Sequence, residues 1–257
     1  MHGEDRRKAL DELNSLIRQC EKCALSLTRT HALCGEGDLY ARLLLVAQAP
    51  GDTEDKAGRM FIGPSGKVLD ELLDQAGVRR DEIYITNLIK CKLPGYRRPK
   101  QKEIQACSRF LDQEIALIAP EVIVPLGYYA ARYVLQKYNV PMPEQRAEFH
   151  HVFGRLFLAG HQKIFQLPHP ASLLYNKSFK PTMLKNYGKL KVLSRECEWF
   201  PVCPMKRFHE QGRLDEYWVE FYCKGDWEAC VRYHKEKRGE YHPDWMLPDG
   251  SLEETLK

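Results

Sequence analysis

The sequence predicts an α/β fold of three layers, a central mainly parallel sheet with helices on both faces, followed by a small module rich in cysteine and tryptophan. Three observations predict it. Short continuous apolar runs of buried-strand type alternate with segments whose apolar residues recur at helical spacing. The charge changes sign along the chain: residues 1–196 carry 30 Lys+Arg against 22 Asp+Glu, whereas residues 197–257 carry 9 against 13. All four tryptophans, Trp199, Trp218, Trp227 and Trp245, fall in the acidic part. The chain therefore divides into a main domain over 1–195 and a C-terminal module over 196–257.

The elements follow in order. Leu10, Leu13, Leu16 and Ile17 recur at helical spacing before Cys20, and Leu43 to Val46 is a continuous apolar run that predicts a buried strand. Val68, Leu69, Leu72, Leu73 and Ala76 form a helical stripe that Gly77 terminates. Strands are expected over Ile83–Ile85 and Glu121–Leu126, and helices over Lys102–Ile118 and Tyr128–Lys137. Two more strands, Arg155–Ala159 and Lys163–Leu167, precede a helix over Thr182–Arg195. In such folds ligands bind beyond the carboxyl ends of the strands, so the loops there are the place to look.

Composition narrows the function. With 44% hydrophobic and 29% charged residues the chain reads as an ordinary globular protein, and no apolar run approaches the ~18 residues of a membrane span. The polar start, Met1 to Arg7, has no secretory h-region, so a reducing, cytoplasmic setting is expected and disulfides are not. The chain is expected to act as a monomer. Eight of nine cysteines fall into two quartets, Cys20, Cys23, Cys91 and Cys107, then Cys197, Cys203, Cys223 and Cys230, a metal-binding pattern; Cys34 is left over as a free thiol. All-thiolate ligation suits iron–sulfur clusters and zinc alike. Between Lys90 and Lys102 lie Lys90, Lys92, Arg97, Arg98, Lys100 and Lys102 with no acidic residue, a cationic loop suited to a polyanion.

Three strand-end loops sharpen this. The first is Ala47-Gln48-Ala49-Pro50-Gly51-Asp52, with Glu54-Asp55 beyond it and Phe61-Ile62-Gly63 later; the second is Thr86-Asn87-Leu88-Ile89-Lys90-Cys91; the third is His169-Pro170-Ala171. With the first quartet, these resemble the uracil-DNA glycosylase superfamily, and within it the iron–sulfur branch, family four, over roughly residues 10–192. The resemblance implies a three-layer uracil-DNA-glycosylase-like fold, a 4Fe-4S cluster on Cys20, Cys23, Cys91 and Cys107, and a partner in uracil-containing DNA. It implies catalytic roles for Gln48, Asn87 and His169, and a substrate pocket of Ala49, Gly51, Asp52, Phe61, Asn87 and His169.

The chemistry agrees with those residue types. A base in a duplex must be flipped out before its glycosidic bond can be cut. One carboxamide, Asn87, offers a donor to O4 and an acceptor to N3–H of uracil, whereas cytosine presents the opposite pattern. Phe61 suits the stacking face, and His169 suits an oxyanion-hole role at the departing base. Lys90, Lys92, Arg97, Arg98 and Lys100 suit phosphate contact, and Leu173 and Leu174 suit a wedge that fills the space left by the base. The chain departs from the family where Gln48 and Ala47 stand for a Gly-Glu pair; a glutamine orients water but accepts no proton. Glu54 and Asp55, just downstream, are the carboxylates that could substitute. That departure keeps open a non-catalytic or altered-specificity iron–sulfur nucleic-acid-binding protein.

The second quartet lies outside the resemblance. Its spacing, Cys197-x5-Cys203-Pro204 and Cys223-x6-Cys230, matches neither a zinc ribbon nor a ferredoxin run. A second iron–sulfur cluster or a zinc ion is expected there, in an acidic module suited to docking a protein partner. A module of this size has little core without such a staple.

Overall fold

Leu43–Ala47, Ile83–Asn87 and Val122–Pro125 form adjacent parallel strands in which every residue is buried, the reason their sequences are almost continuously apolar. They belong to a computed structural model that describes residues 3–257. The chain forms two compact units, the first ending at Gly188 and the second covering Lys189–Lys257.

In the first unit six strands, β1 (Glu36–Gly37), β2 (Leu43–Ala47), β3 (Ile83–Asn87), β4 (Val122–Pro125), β5 (Leu156–Ala159) and β6 (Gln162–Phe165), run in the order β1-β3-β2-β4-β6-β5. The inner four are parallel, and the two edges, β1 and β5, are antiparallel to their neighbours. Register pairs Ala47 with Asn87, so β2 and β3 end level. Pairing continues past both: Leu88 N–H donates to Ala47 O at 2.8 Å and Ile89 N–H to Gln48 O at 3.0 Å. On the other side Leu126 bridges Leu167, and Gly127 N–H donates to Leu167 O at 2.8 Å. Four loops are thereby gathered at one end of the sheet.

The helices are α1 (Gly3–Arg18), α2 (Asp52–Ala57), α3 (Pro64–Ala76), α4 (Gln101–Ile118), α5 (Tyr128–Lys137), α6 (Ser172–Tyr175) and α7 (Lys180–Gly188), and they cover both sides of the sheet. Leu10, Leu13 and Ile17 of α1, Phe110, Leu111 and Ile115 of α4 and Val134 of α5 share one core with Leu44, Val46, Tyr84 and Ile123. The alternate strand residues, such as Leu43, Leu45, Ile83 and Ile85, point to the opposite face. There α3 and α7 pack together. Among the described residues no helix is long and apolar enough to cross a membrane.

Two expectations are corrected. Leu16 is 59% exposed; the inner stripe of α1 is Leu10, Leu13, Asn14 and Ile17, because i, i+3, i+4, i+7 is the spacing that keeps to one face. The helix expected over Thr182–Arg195 is two, α7 ending at Gly188 and α8 (Leu190–Leu193), since a glycine costs about 1 kcal/mol against alanine inside a helix. The break coincides with the end of the first compact unit at Gly188.

The second unit adds α9 (Pro204–Glu210), α10 (Glu216–Trp218) and α11 (Val231–Arg238) to α8. Its core gathers Phe200, Met205, Phe208, Val219, Trp227 and Tyr233 around Cys197, Cys223 and Cys230. Trp227 Nε1–H donates to Val192 O at 2.9 Å, tying α8 into this core.

Candidate active site

A cavity of about 480 Å³ opens where the strand-end loops meet. Gln48, Ala49 and Gly51 reach it from the loop after β2, Phe61 from the turn before α3, Asn87 from the end of β3 and His169 from the segment after β6. Gln48 was expected in catalysis and the other five in the substrate pocket.

Asn87 is buried, and its carboxamide is barely satisfied: Nδ2 donates to Met60 Sδ at 3.3 Å, a weak acceptor, and Oδ1 has no hydrogen-bond partner. A buried unpaired polar group costs about 1–3 kcal/mol. An amide left in this state at a cavity wall is poised for an incoming donor and acceptor.

Phe61 has φ 50°, a left-handed conformation that bulky residues rarely adopt. Its loop is clamped from outside. Arg80 Nη1 donates to Phe61 O at 3.1 Å and to Asp70 Oδ1 at 2.7 Å, and Nη2 donates to Met60 O at 2.6 Å. Glu36 Oε1 accepts Met60 N–H at 3.0 Å. Gly66 is required beside it, since a Cβ there would lie 1.9 Å from Phe61 O. So held, the Phe61 ring faces the imidazole of His169, centroids 6.1 Å apart and planes within 27°.

His169 follows Pro168, whose carbonyl accepts the Tyr187 hydroxyl at 2.8 Å. Ala171 N–H donates to His169 Nδ1 at 3.1 Å, so Nδ1 is the acceptor and the neutral ring carries its proton on Nε2. Burial of the ring pushes its pKa down to about 4. Gly127, at φ 79°, lets it come close: a Cβ there would stand 3.1 Å from His169 Cβ.

Glu54 is the carboxylate among the cavity-lining residues. It is buried, and its Oε1 accepts Gly63 N–H at 2.7 Å. Asp55, its neighbour, instead accepts Thr30 N–H at 3.0 Å and His31 N–H at 3.3 Å and clamps a loop.

Several expected residues do other work. Asp52 does not line the cavity; it accepts the Tyr96 hydroxyl and lies 2.9 Å from Lys92 Nζ, which together hold its carboxyl below the usual range. Lys90 is 1% exposed and cannot reach a phosphate: its Nζ pairs with the buried Glu114 and donates to Thr86 Oγ1 at 2.6 Å. Arg97 is bound to Glu103, which caps α4. Arg98 and Lys100 are exposed. Leu174 is exposed and lines the cavity mouth; Leu173 is half-buried and stays out of it. Sequence reasoning missed Arg80, Arg146, Tyr96 and Tyr175. The last two stand at the mouth, 77% and 90% exposed. Tyr96 could have been found, as the aromatic residue inside the cationic loop.

The first cysteine quartet surrounds one recess with Ile17, Arg29, Ile89 and Phe110. Arg29 Nη1 donates to Cys91 Sγ at 3.2 Å, and Lys90 N–H to Cys107 Sγ at 3.2 Å. Burial raises the Cys91 thiol and takes Cys107 to about 11. Sulfurs that accept hydrogen bonds from a cation and an amide, yet are otherwise desolvated, suit thiolates bound to a soft cationic centre. The second quartet lines a cavity of about 200 Å³ in the second unit.

Comparison with known proteins gives one consistent result. Residues 34–189 match the family model of the uracil DNA glycosylase superfamily. A type-4 uracil-DNA glycosylase of Sulfurisphaera tokodaii is 35% identical over 191 residues, covering 72% of this chain and 85% of its own. A type-4 enzyme of Thermotoga maritima is 36% identical over 173 residues, 67% of this chain and 87% of its own. One from Archaeoglobus fulgidus is 32% identical over 190 residues, 72% of this chain and 94% of its own.

Proposed function

This chain belongs to the uracil-DNA glycosylase superfamily and to its type-4 group, and we propose that the cavity walled by Phe61, Asn87 and His169 is where it takes uracil out of DNA. The reaction is hydrolysis of the N-glycosidic bond, which leaves an abasic site. The observation that carries the reading is the buried, unpartnered Asn87 Oδ1 at the wall of a cavity with a stacking ring and a neutral imidazole.

Uracil stacks on Phe61 and completes Asn87: N3–H donates to Oδ1, and Nδ2 turns from Met60 to O4. The glycosidic bond then breaks with its electron pair going to N1, so positive charge grows on the sugar and negative charge on the base. His169 Nε2–H donates to O2, where that charge accumulates, and its position costs no reorganisation at the moment of cleavage. A water then adds to the sugar carbon and its proton is released. Gln48 orients that water, and Glu54 supplies the carboxylate that position 48 lacks, opposite the sugar's charge. DNA is held by Arg98 and Lys100 with Lys102, and Leu174, with Tyr96 and Tyr175, fills the stack beside the flipped nucleotide.

Cys20, Cys23, Cys91 and Cys107 are the residues that would hold the 4Fe-4S cluster of the type-4 branch. The cluster supplies a four-thiolate cross-link and takes no part in hydrolysis. Held on these four residues it would join the segment after α1, which carries Cys20 and Cys23, to the β3 exit and α4, where Lys90 N–H donates to Cys107 Sγ at 3.2 Å.

The test is incubation with a uracil-containing oligonucleotide, followed by alkali to break the strand at abasic sites. Product is expected from the native chain and lost in Asn87→Ala and His169→Ala; a native chain that gives none would overturn the reading.

A further inference from the structure

We propose that Cys197, Cys203, Cys223 and Cys230 hold a second iron–sulfur cluster, a site separate from uracil excision. The four sulfurs line one cavity of about 200 Å³ in the C-terminal unit, with Phe200 and Trp227 among its walls.

Cys197 N–H donates to Cys223 O at 2.8 Å, which fixes two of the ligand-bearing segments together.

Arg232 is the independent observation. It is 3% exposed, lines the cavity, and its Nε is buried with no hydrogen-bond partner. Its Nη1 donates to the carbonyls of Pro243, Asp244 and Met246 at 3.0, 3.2 and 2.8 Å, all neutral acceptors. Glu236, the carboxylate that lines the same cavity, is exposed, so the buried Nε–H is left for an anionic group deeper in it. A cluster on four thiolates supplies that negative charge beside it.

A single tetrahedral zinc ion, with Zn–S near 2.3 Å, would need the sulfurs drawn to about 3.8 Å from one another, and among the described residues no three Cys, His, Asp or Glu are grouped to hold one metal ion. Pro204, directly after Cys203, is also a frequent neighbour of cluster cysteines.

The experiment is iron, sulfide and zinc analysis of the full chain, purified anaerobically, beside Cys223→Ser/Cys230→Ser. About eight iron and eight sulfide per native chain are expected, halving to about four of each in the variant, with the remainder lost only when Cys20 and Cys23 are also replaced. Native protein with about four iron would overturn the proposal, as would stoichiometric zinc. If the variant precipitates, the native count still decides.

Discussion

Replacing Asn87 by alanine should separate activity from stability. In the free protein its Oδ1 is buried and unpaired, and Nδ2 has only a thioether for a partner, so the side chain contributes little to folding. The substitution removes an unsatisfied group that costs about 1–3 kcal/mol and leaves a small void that costs a similar amount, so unfolding should move by less than about 1 kcal/mol. With uracil bound, the same change strands N3–H and O4 in a dry pocket. Two lost hydrogen bonds with unpaired partners amount to about 3–5 kcal/mol, or roughly 10²- to 10⁴-fold in rate. Single-turnover excision and urea unfolding of the same preparations measure both. An activity loss of a few fold, or a loss tracking a destabilisation above about 2 kcal/mol, would show that Asn87 merely finishes a strand.

Arg80→Gln should cut excision about tenfold while leaving DNA affinity unchanged, because it frees the Phe61 loop and touches no phosphate; an unaltered rate would deny the clamp. Lys90→Met should lower stability by about 3–5 kcal/mol by leaving Glu114 buried and unpaired, with no change in the salt dependence of DNA binding in whatever protein folds. Arg98→Ala/Lys100→Ala should do the reverse, flattening the log–log salt slope by roughly 2; equal slopes would remove these residues from the DNA face. His169 has a folded pKa of about 4 against 6.5 for the free side chain, so the unfolded chain binds the extra proton. The stability it confers is complete above pH 6.5 and is lost as pH falls toward 4, by about 3 kcal/mol at most. Excision should stay level from pH 8 to pH 5 as far as His169 governs it, and a fall centred near pH 6.5 that His169→Gln abolishes would contradict the neutral ring.

The central strands and pocket residues were legible because each carries a local signal. Leu43 to Val46 is apolar at every position, as a strand covered on both faces must be, and the loops bearing Gln48, Asn87 and His169 follow directly on strands. What escaped depends on partners distant in sequence. Lys90 looks like any lysine of a cationic loop until Glu114, on α4, is seen beneath it. Arg80 and Glu36 hold Phe61 by reaching backbone atoms, a role no motif records. Asp52 belongs to the expected loop, yet Tyr96 and Lys92 turn its carboxylate away from the cavity. The break at Gly188 was invisible to periodicity because apolar residues lie on both sides of it.

The run from Asn87 to Cys91 is buried at every residue. Only four positions therefore separate the carboxamide proposed to read the base from a cysteine proposed to hold the cluster, and Lys90 between them is pinned to Glu114. A segment so short and so buried has little room to repack, so oxidation of Cys91 should disturb Asn87 and lower excision before it lowers the melting temperature.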